Sequence, residues 1–450
     1  NKFKDDVFPA GLTAIQGCTG QEEVVAWKRP GDFGNGGQLP AAQAFLFKDD
    51  MVADDVIQGR LKDCWLLGAF SIAAAKARAL QERVVFAWVD KGLYAVEYFV
   101  EGSWVRVVVD DLIPCGRDGL PVFGRCLDKY CVWVPIMEKA FAKLMGGYSR
   151  LEYGSEDDGL VALTGGIPKS LDLHKRQETL LDGSMWRKLL KYQSKGHLMG
   201  CANHGLASDS GSIQTDHAYA VLAVHDLPEC GLCLLHVRNP WGRGEWTGRF
   251  SRGSPMWGEV SESAKKQIGY YTWQGKRTGG SFFICWEDFY SHFDRIYVCK
   301  IIPSCWETVT VKDCEWRGET AGGCTNHNSC ADNPQFRLIV SQPTEVRVRL
   351  FQTSRRVAPA SSSSSSDDSY KYAQALSKAF QRWNIGMYLL RAPSVTDTET
   401  ALLVLPPENI VVSSKTFLNA PQSTIKASVS PAGAEACFVL VPCTYHPGQE

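Results

Sequence analysis

"IQGRLKDCWLLGAFSIAAAKARAL", Ile57 to Leu80, is the stretch on which the reading of this 450-residue chain turns. Gln58 and Gly59 lead in, and Asp63 stands immediately before Cys64. The long apolar, alanine-rich run that follows predicts a helix opening at Cys64. The free N–H groups and dipole of a helix N-terminus favour a thiolate, although Asp63 beside the sulfur works the other way. A cysteine in an apolar helix is more often a buried structural thiol, so the rest of the chain has to decide between the two readings.

For acyl transfer a thiolate needs a general base, a group that orients the base, and a donor for the developing oxyanion. The chain offers all three. "TDHAYAVLAV" puts His217 at the opening of a strand, and "VRNPWGRGEWTG" puts Asn239 at the end of another. An asparagine carbonyl can accept the imidazole N–H and hold the ring's tautomer and orientation. Gln58, six residues before Cys64, can place an amide N–H beside the sulfur. Each residue alone carries little, since a histidine before a strand or a glutamine before a helix is usually a polar boundary residue. The order Cys, His, Asn with this separation is that of papain-like cysteine proteases.

Outward from these residues, composition narrows the possibilities. The chain is 44% hydrophobic and 22% charged with a net charge of −1, a balance that gives no support for nucleic acid or a membrane surface as the main partner. No 18-residue apolar run predicts a transmembrane helix. The opening "NKFKDDVFPAG" lacks the apolar core of a signal peptide; it starts at Asn rather than Met, which leaves a removed targeting segment open. Sixteen cysteines are scattered, many in apolar context such as "CLLHV" and "ICWEDF", and predict buried reduced thiols in a cytoplasmic setting.

The length requires more than one core. "LYAVEYFVEGSWVRVVVDDLIP" (Leu93 to Pro114) reads as a β-hairpin, and "VPIMEKAFAKLMGG" (Val134 to Gly147) as a helix with its glycine stop. "HAYAVLAV", "LCLLHVRNP" and "FFICWEDF" imply a largely antiparallel sheet. In the last third, "FRLIV", "EVRVRLF", "MYLLRA", "ALLVL" and "CFVLVPC" recur between turn-rich stretches, the signature of a β-sandwich. A serine-rich loop near residues 358–370 interrupts them and predicts a mobile insertion. The "SEDDG" cluster (Ser155 to Gly159) reads as a solvated acidic loop, and "CTNHNSC" (Cys324 to Cys330) as a structural turn rather than a zinc site, since a fourth ligand is not evident.

"QGRLKDCWLL" resembles the calpain active-site motif, and "HAYAV" and "RNPWGRGEWTG" look like that family's histidine and asparagine motifs. The likeness extends to "FPA", "WKRP", "VVVDDLIP", "EKAFAK", "LTGG" and "WRGETAGGC…NPQFRL", covering residues from about 3 to 340. It implies an α+β protein with a two-lobed papain-like calpain protease core, followed by an all-β calpain-type β-sandwich. The expected divisions are an N-terminal segment 1–20, lobe 1 over 21–165 with the nucleophile, lobe 2 over 166–302 with the histidine and asparagine, and the sandwich over 303–450. Carried over residue by residue, the nucleophile is Cys64, the base His217, the orienting residue Asn239 and the oxyanion donor Gln58. Trp241 would shield the His–Asn pair from water.

The activity implied is limited endoproteolysis of intracellular protein substrates. A regulatory protein or lipid contact through the sandwich is implied as well. The alternative is a calpain-fold scaffold that binds partners and cleaves nothing. Lys62 and Asp216 stand where the family usually has glycine. Calcium, bound once per lobe in typical calpains, is implied by the resemblance, but such sites need several oxygen ligands and usually two carboxylates. Asp55 matches one family ligand, while its expected partner acid is Ser149. Glu245 matches another, but Arg252, Gly279, Gly280 and Ser281 stand where acids are expected. These departures predict eroded sites, so no metal ligand is assigned. No EF-hand loop occurs within the 450 residues.

Overall fold

The computed structural model describes residues 2–34, 44–48, 51–76, 80–152, 154–205, 212–275, 279–312, 314–352, 383–392, 402, 404–431 and 433–449. The chain forms two compact units, one of residues 1–100 and 104–307 and one of 101–103 and 308–450. The serine-rich loop expected near 358–370 lies outside the described residues.

The first unit has a helical half and a sheet half. Helix α1 (Cys64–Ala74) is buried from Trp65 to its end. Its sequence is apolar on every side, so it is stable only when packed all round. It lies against α3 (Glu156–Thr164) and also against the sheet half, which makes it the central element of this unit. Helix α2 (Trp133–Met145) stops where Gly146 turns left-handed at φ 91°. The hairpin expected over 93–114 is present as β2 (Leu93–Val100) and β3 (Ser103–Asp110), with β1 (Val84–Trp88) completing a three-stranded sheet.

The sheet half is six strands, β4 (Ile167–Asp172), β5 (Leu198–Asn203), β6 (His217–Leu227), β7 (Leu232–Arg238), β8 (Ser281–Cys285) and β9 (Arg295–Lys300), in the order β8-β7-β6-β5-β9-β4. All its pairings are antiparallel. The run "FFIC" is apolar at every position because both faces are covered. Phe282 enters the cluster around Tyr219, Trp186 and Phe293, whereas Phe283 enters the one around Phe250, Trp257 and Trp273. The end of "FFICWEDF" departs from the strand reading: Trp286–His292 is a helix, with Glu287 and Asp288 in its first turn.

The second unit is a β-sandwich. One sheet holds β10 (Phe336–Val340), β12 (Ile385–Arg391), β13 (Ile410–Ser413) and β15 (Ala436–Thr444) in the order β10-β15-β12-β13; β11 (Thr344–Phe351) and β14 (Gln422–Val429) form the facing ribbon. Met387, Leu389 and Phe438 meet Ile425 and Ala427 of the ribbon. Tyr388, Leu390 and Val441 cover Cys324 and Cys330, so the "CTNHNSC" cysteines are packed in apolar surroundings. The strand expected at "ALLVL" is not formed by its described members Leu402, Val404 and Leu405. Pro406 and Pro407 follow at once and cannot donate to a ladder, so the chain pairs only from Ile410 onward.

All sixteen cysteines are free thiols, and most are buried. No helix among the described residues is long and apolar enough to cross a membrane.

Candidate active site

Cys64 is the first residue of α1, with Asp63 as its N-cap residue. His217 opens β6, and Asn239 follows directly after the last residue of β7. Pairing of β6 with β7 on one side and β5 on the other fixes both positions. The His217 Nε2 atom lies 2.8 Å from Asn239 Oδ1, and both residues are buried. With Nε2–H as donor, Nδ1 keeps the lone pair that a base requires. Asn239 is itself held in place: Oδ1 also accepts the Trp241 N–H at 3.0 Å, and Nδ2 donates to the Gly244 carbonyl at 3.3 Å. The Trp241 ring lies 4.4 Å from the His217 ring, covering the pair while staying half-exposed itself.

Cys64, His217, Ala218, Trp65, Gln58 and Trp241 line one cleft of about 1400 Å³. The N–H of Ala218, next to His217, points to the Cys64 sulfur, as does that of Trp65. These donors favour the thiolate, but burial outweighs them and pushes the thiol up to about 11. Burial also pushes His217 down to about 4, only partly opposed by its bond to Asn239. Gln58 sits at the rim between the two halves. Its N–H donates to the Pro240 carbonyl at 2.9 Å, and its Nε2 donates to the Leu61 carbonyl at 2.7 Å. One hydrogen of that amide remains to be directed elsewhere.

At Asp216, one of the two positions that depart from the family pattern, the backbone shows why glycine is usual. Asp216 has φ 51°, in the left-handed region where glycine is least strained. Lys62 lines the cleft beside Cys64. The "SEDDG" segment, read as a solvated loop, is instead the start of α3, and Glu156 is fully buried. Gly68 of α1 and Gly200 of β5 leave the space for its carboxyl, since a side chain at either would collide with its oxygens. Both oxygens lack hydrogen-bond partners, and burial pushes this group well above the usual carboxylate range.

Sequence reasoning missed Arg238, which is fully buried although it precedes Asn239 directly. Its Nε bonds Asp54 Oδ1 at 3.1 Å and its Nη1 bonds Ser71 Oγ of α1 at 2.9 Å; Nη2 reaches the Asp54 and Val56 carbonyls. A strand of the sheet half is thereby tied to the helical half one residue from the His217 partner. The available signal was a lone arginine at the end of the apolar strand "LCLLHV".

Calcium, which the resemblance implies, does not fit the residues present. Asp55 accepts the Val52 N–H at 2.9 Å, and Ser149 brings no carboxylate. Glu245 carries the guanidinium of Arg252, whose Nε lies 3.2 Å from its Oε2, and a dication there would face a fixed positive charge. Among the described residues, no group of three or more His, Cys, Asp or Glu is placed to hold a metal ion.

The chain matches two families, "Calpain family cysteine protease" over residues 3–300 and "Calpain large subunit, domain III" over 312–450. It is 33% identical to the calpain-type cysteine protease ADL1 of Oryza sativa subsp. japonica, over 95% of this chain and 19% of that protein. The calpain-type cysteine protease DEK1 of Arabidopsis thaliana is also 33% identical, over 100% and 20%. Calpain-9 of Rattus norvegicus is 31% identical, over 76% and 50%. The chain thus spans about a fifth of the plant relatives and half of the rat one. With both halves of the protease core and the sandwich accounted for, the chain belongs to the calpain family of cysteine proteases.

Proposed function

We propose that this chain is a cysteine-type endopeptidase that makes limited cuts in protein substrates, with Cys64 as nucleophile, His217 as base, Asn239 as its orienting partner and Gln58 as oxyanion donor. The observation that carries the reading is a helix-opening cysteine sharing a cleft with a buried histidine–asparagine pair bonded at 2.8 Å. His217 Nδ1 takes the S–H proton as Sγ bonds to the scissile carbonyl carbon. The Cys64 N–H and the remaining Gln58 amide hydrogen donate to the oxyanion, a contribution of about 10²–10³ in rate per donor. His217 then gives the proton to the departing amine nitrogen as the C–N bond breaks, leaving a thioester. Water, deprotonated by His217, attacks the thioester and releases the acid and the thiol.

Lobe 1 in this reading is residues 21–165 and lobe 2 is 166–302, followed by the sandwich over 303–450. The free cysteines support a reducing, cytoplasmic site of action. The sandwich is assigned, through its family resemblance, to contact with a regulatory protein or a lipid. Cys64→Ala should lower kcat/KM by at least about 10⁴-fold, as loss of a nucleophile does in comparable triads. It should leave thermal stability nearly unchanged. Substantial turnover by that variant would rule the assignment out. Labelling of Cys64 by a peptidyl thiol-reactive inhibitor separates enzyme from scaffold, because a dormant fold would stay unlabelled with calcium and with chelator alike.

A further inference from the structure

Arg252 makes a set of contacts unlike those of a surface arginine. Its Nε donates to Glu245 Oε2 at 3.2 Å, and its Nη1 donates to the carbonyls of Trp273 and Gln274 at 2.8 and 3.1 Å. The guanidinium also lies over the Trp273 ring, 4.5 Å from its centroid. A carboxylate and two backbone carbonyls converging on one centre are the donor set of a hard cation, and here the cation is a side chain.

Its position connects to the reaction. Glu245 follows Gly244, whose carbonyl accepts from Asn239 Nδ2; Asn239 Oδ1 in turn bonds His217 Nε2. The segment from Asn239 to Glu245 is otherwise a loop without regular structure, with left-handed turns at Gly242 and Gly244. Glu245 unpaired would carry a partly buried negative charge at the end of that loop. Paired with Arg252, and through it with the helix Tyr270–Gly275, the loop has a fixed far end.

We propose that Arg252 is a built-in cation that holds the Asn239–Glu245 loop, and with it the His217–Asn239 pair, in working geometry without a metal ion in this half of the protein. Arg252 is a positioning residue: it touches no reacting atom and acts through Glu245, Gly244 and Asn239. The site that a calcium ion would require is already satisfied by an internal charge whose three partners come from two segments.

The catalytic part of this inference rests on the proteolytic reading, so the test includes a measurement that needs no turnover. The chain and its Cys64→Ala form are melted in chelator and in millimolar calcium chloride, alongside Arg252→Gln and Arg252→Lys. The unsubstituted chain is expected to unfold at the same temperature, within about 1 °C, in both conditions. Arg252→Gln is expected to melt several degrees lower, with no recovery on adding calcium, and Arg252→Lys to regain most of the loss. In peptide hydrolysis, Arg252→Gln should lower kcat on the order of 10-fold with KM within about twofold, because substrate binding does not use this residue. Arg252→Lys should again recover most of it.

Stabilisation of the unsubstituted chain by calcium, Arg252→Gln melting and turning over like the parent, or Arg252→Lys no better than Arg252→Gln would each overturn the proposal. If Arg252→Gln fails to fold, the lysine variant and the calcium comparison of the unsubstituted chain decide it. If the chain hydrolyses nothing, the proteolytic reading fails while the melting comparison still decides the role of Arg252.

Discussion

Two buried regions of the protease core, one around Arg238 and one around Glu156, handle charge in opposite ways. On the sheet side the buried cation Arg238 has every face matched: Asp54 as counter-ion, the Ser71 hydroxyl and two carbonyls. Burial still pulls it down to about 10, which leaves it charged at neutral pH. Asp63 and Glu156, beside α1, are buried acids whose carboxyl oxygens have no hydrogen-bond partner. Asp63 is buried near Glu138, which accepts the Gly124 N–H at 2.8 Å; burial and the neighbouring carboxyl push Asp63 well above the usual carboxylate range. Glu156 stands by itself between α1 and β5. The cation is kept charged by partners, whereas the acids avoid the cost of charge by staying protonated. Arg238 and Asp54 therefore form a fixed ion pair, whereas Asp63 and Glu156 are groups whose charge depends on pH.

That contrast can be broken most severely at Arg238. Arg238→Ala removes the buried counter-ion of Asp54 and should destabilise the protease core by about 3–5 kcal/mol. Adding Asp54→Asn should recover part of the loss. Chemical denaturation of the single and double variants measures the coupling, and full additivity would show that the pair does not act as a unit.

The acids should respond to pH instead. Glu156 has a folded pKa raised well above its unfolded value, so the folded state holds its proton more tightly. Its stabilisation is complete below the unfolded pKa and is lost as pH rises through the folded pKa. Glu156→Gln should therefore match the parent near pH 4.5 and exceed its stability at pH 8, by on the order of 1–3 kcal/mol for a buried unpaired group. A parent and variant that lose stability in parallel as pH rises would remove Glu156 from this account.

The smallest expected effect lies at Asp216, just before the strand that opens with His217. Asp216→Gly, at φ 51°, should add about 0.5–1 kcal/mol by relieving left-handed strain before His217. A loss of stability there would mean that the Asp216 side chain makes a contribution larger than its strain.

Much of the site was legible because its parts are local. The apolar run after Cys64 dictates a helix whatever surrounds it, and His217 and Asn239 stand at the ends of strands that their own β-branched and aromatic neighbours define. The resemblance supplied which of the many histidines and asparagines to join. Where local reading failed, the deciding contact was distant. The acidic "SEDDG" run has the composition of a solvated loop, and only two glycines from other elements, Gly68 and Gly200, turn Glu156 into a buried residue. "ALLVL" has the composition of a strand, but its described members Leu402, Val404 and Leu405 stay outside the sheet, before two prolines and with Ile410–Ser413 paired to β12 instead.

By itself, then, the sequence determined the helix that carries Cys64, the strands that end at the histidine and asparagine, and the family to which that order belongs. Hydrophobic periodicity and turn chemistry act within a few residues, so they are written in the order of the chain. The tertiary structure alone decided which charges are matched. Arg238 meets Asp54 across 184 residues, and Arg252 meets both Glu245 and the carbonyls of Trp273 and Gln274. Desolvation and ion pairing depend on what the folded chain brings within a few ångströms, and no local pattern encodes that neighbourhood.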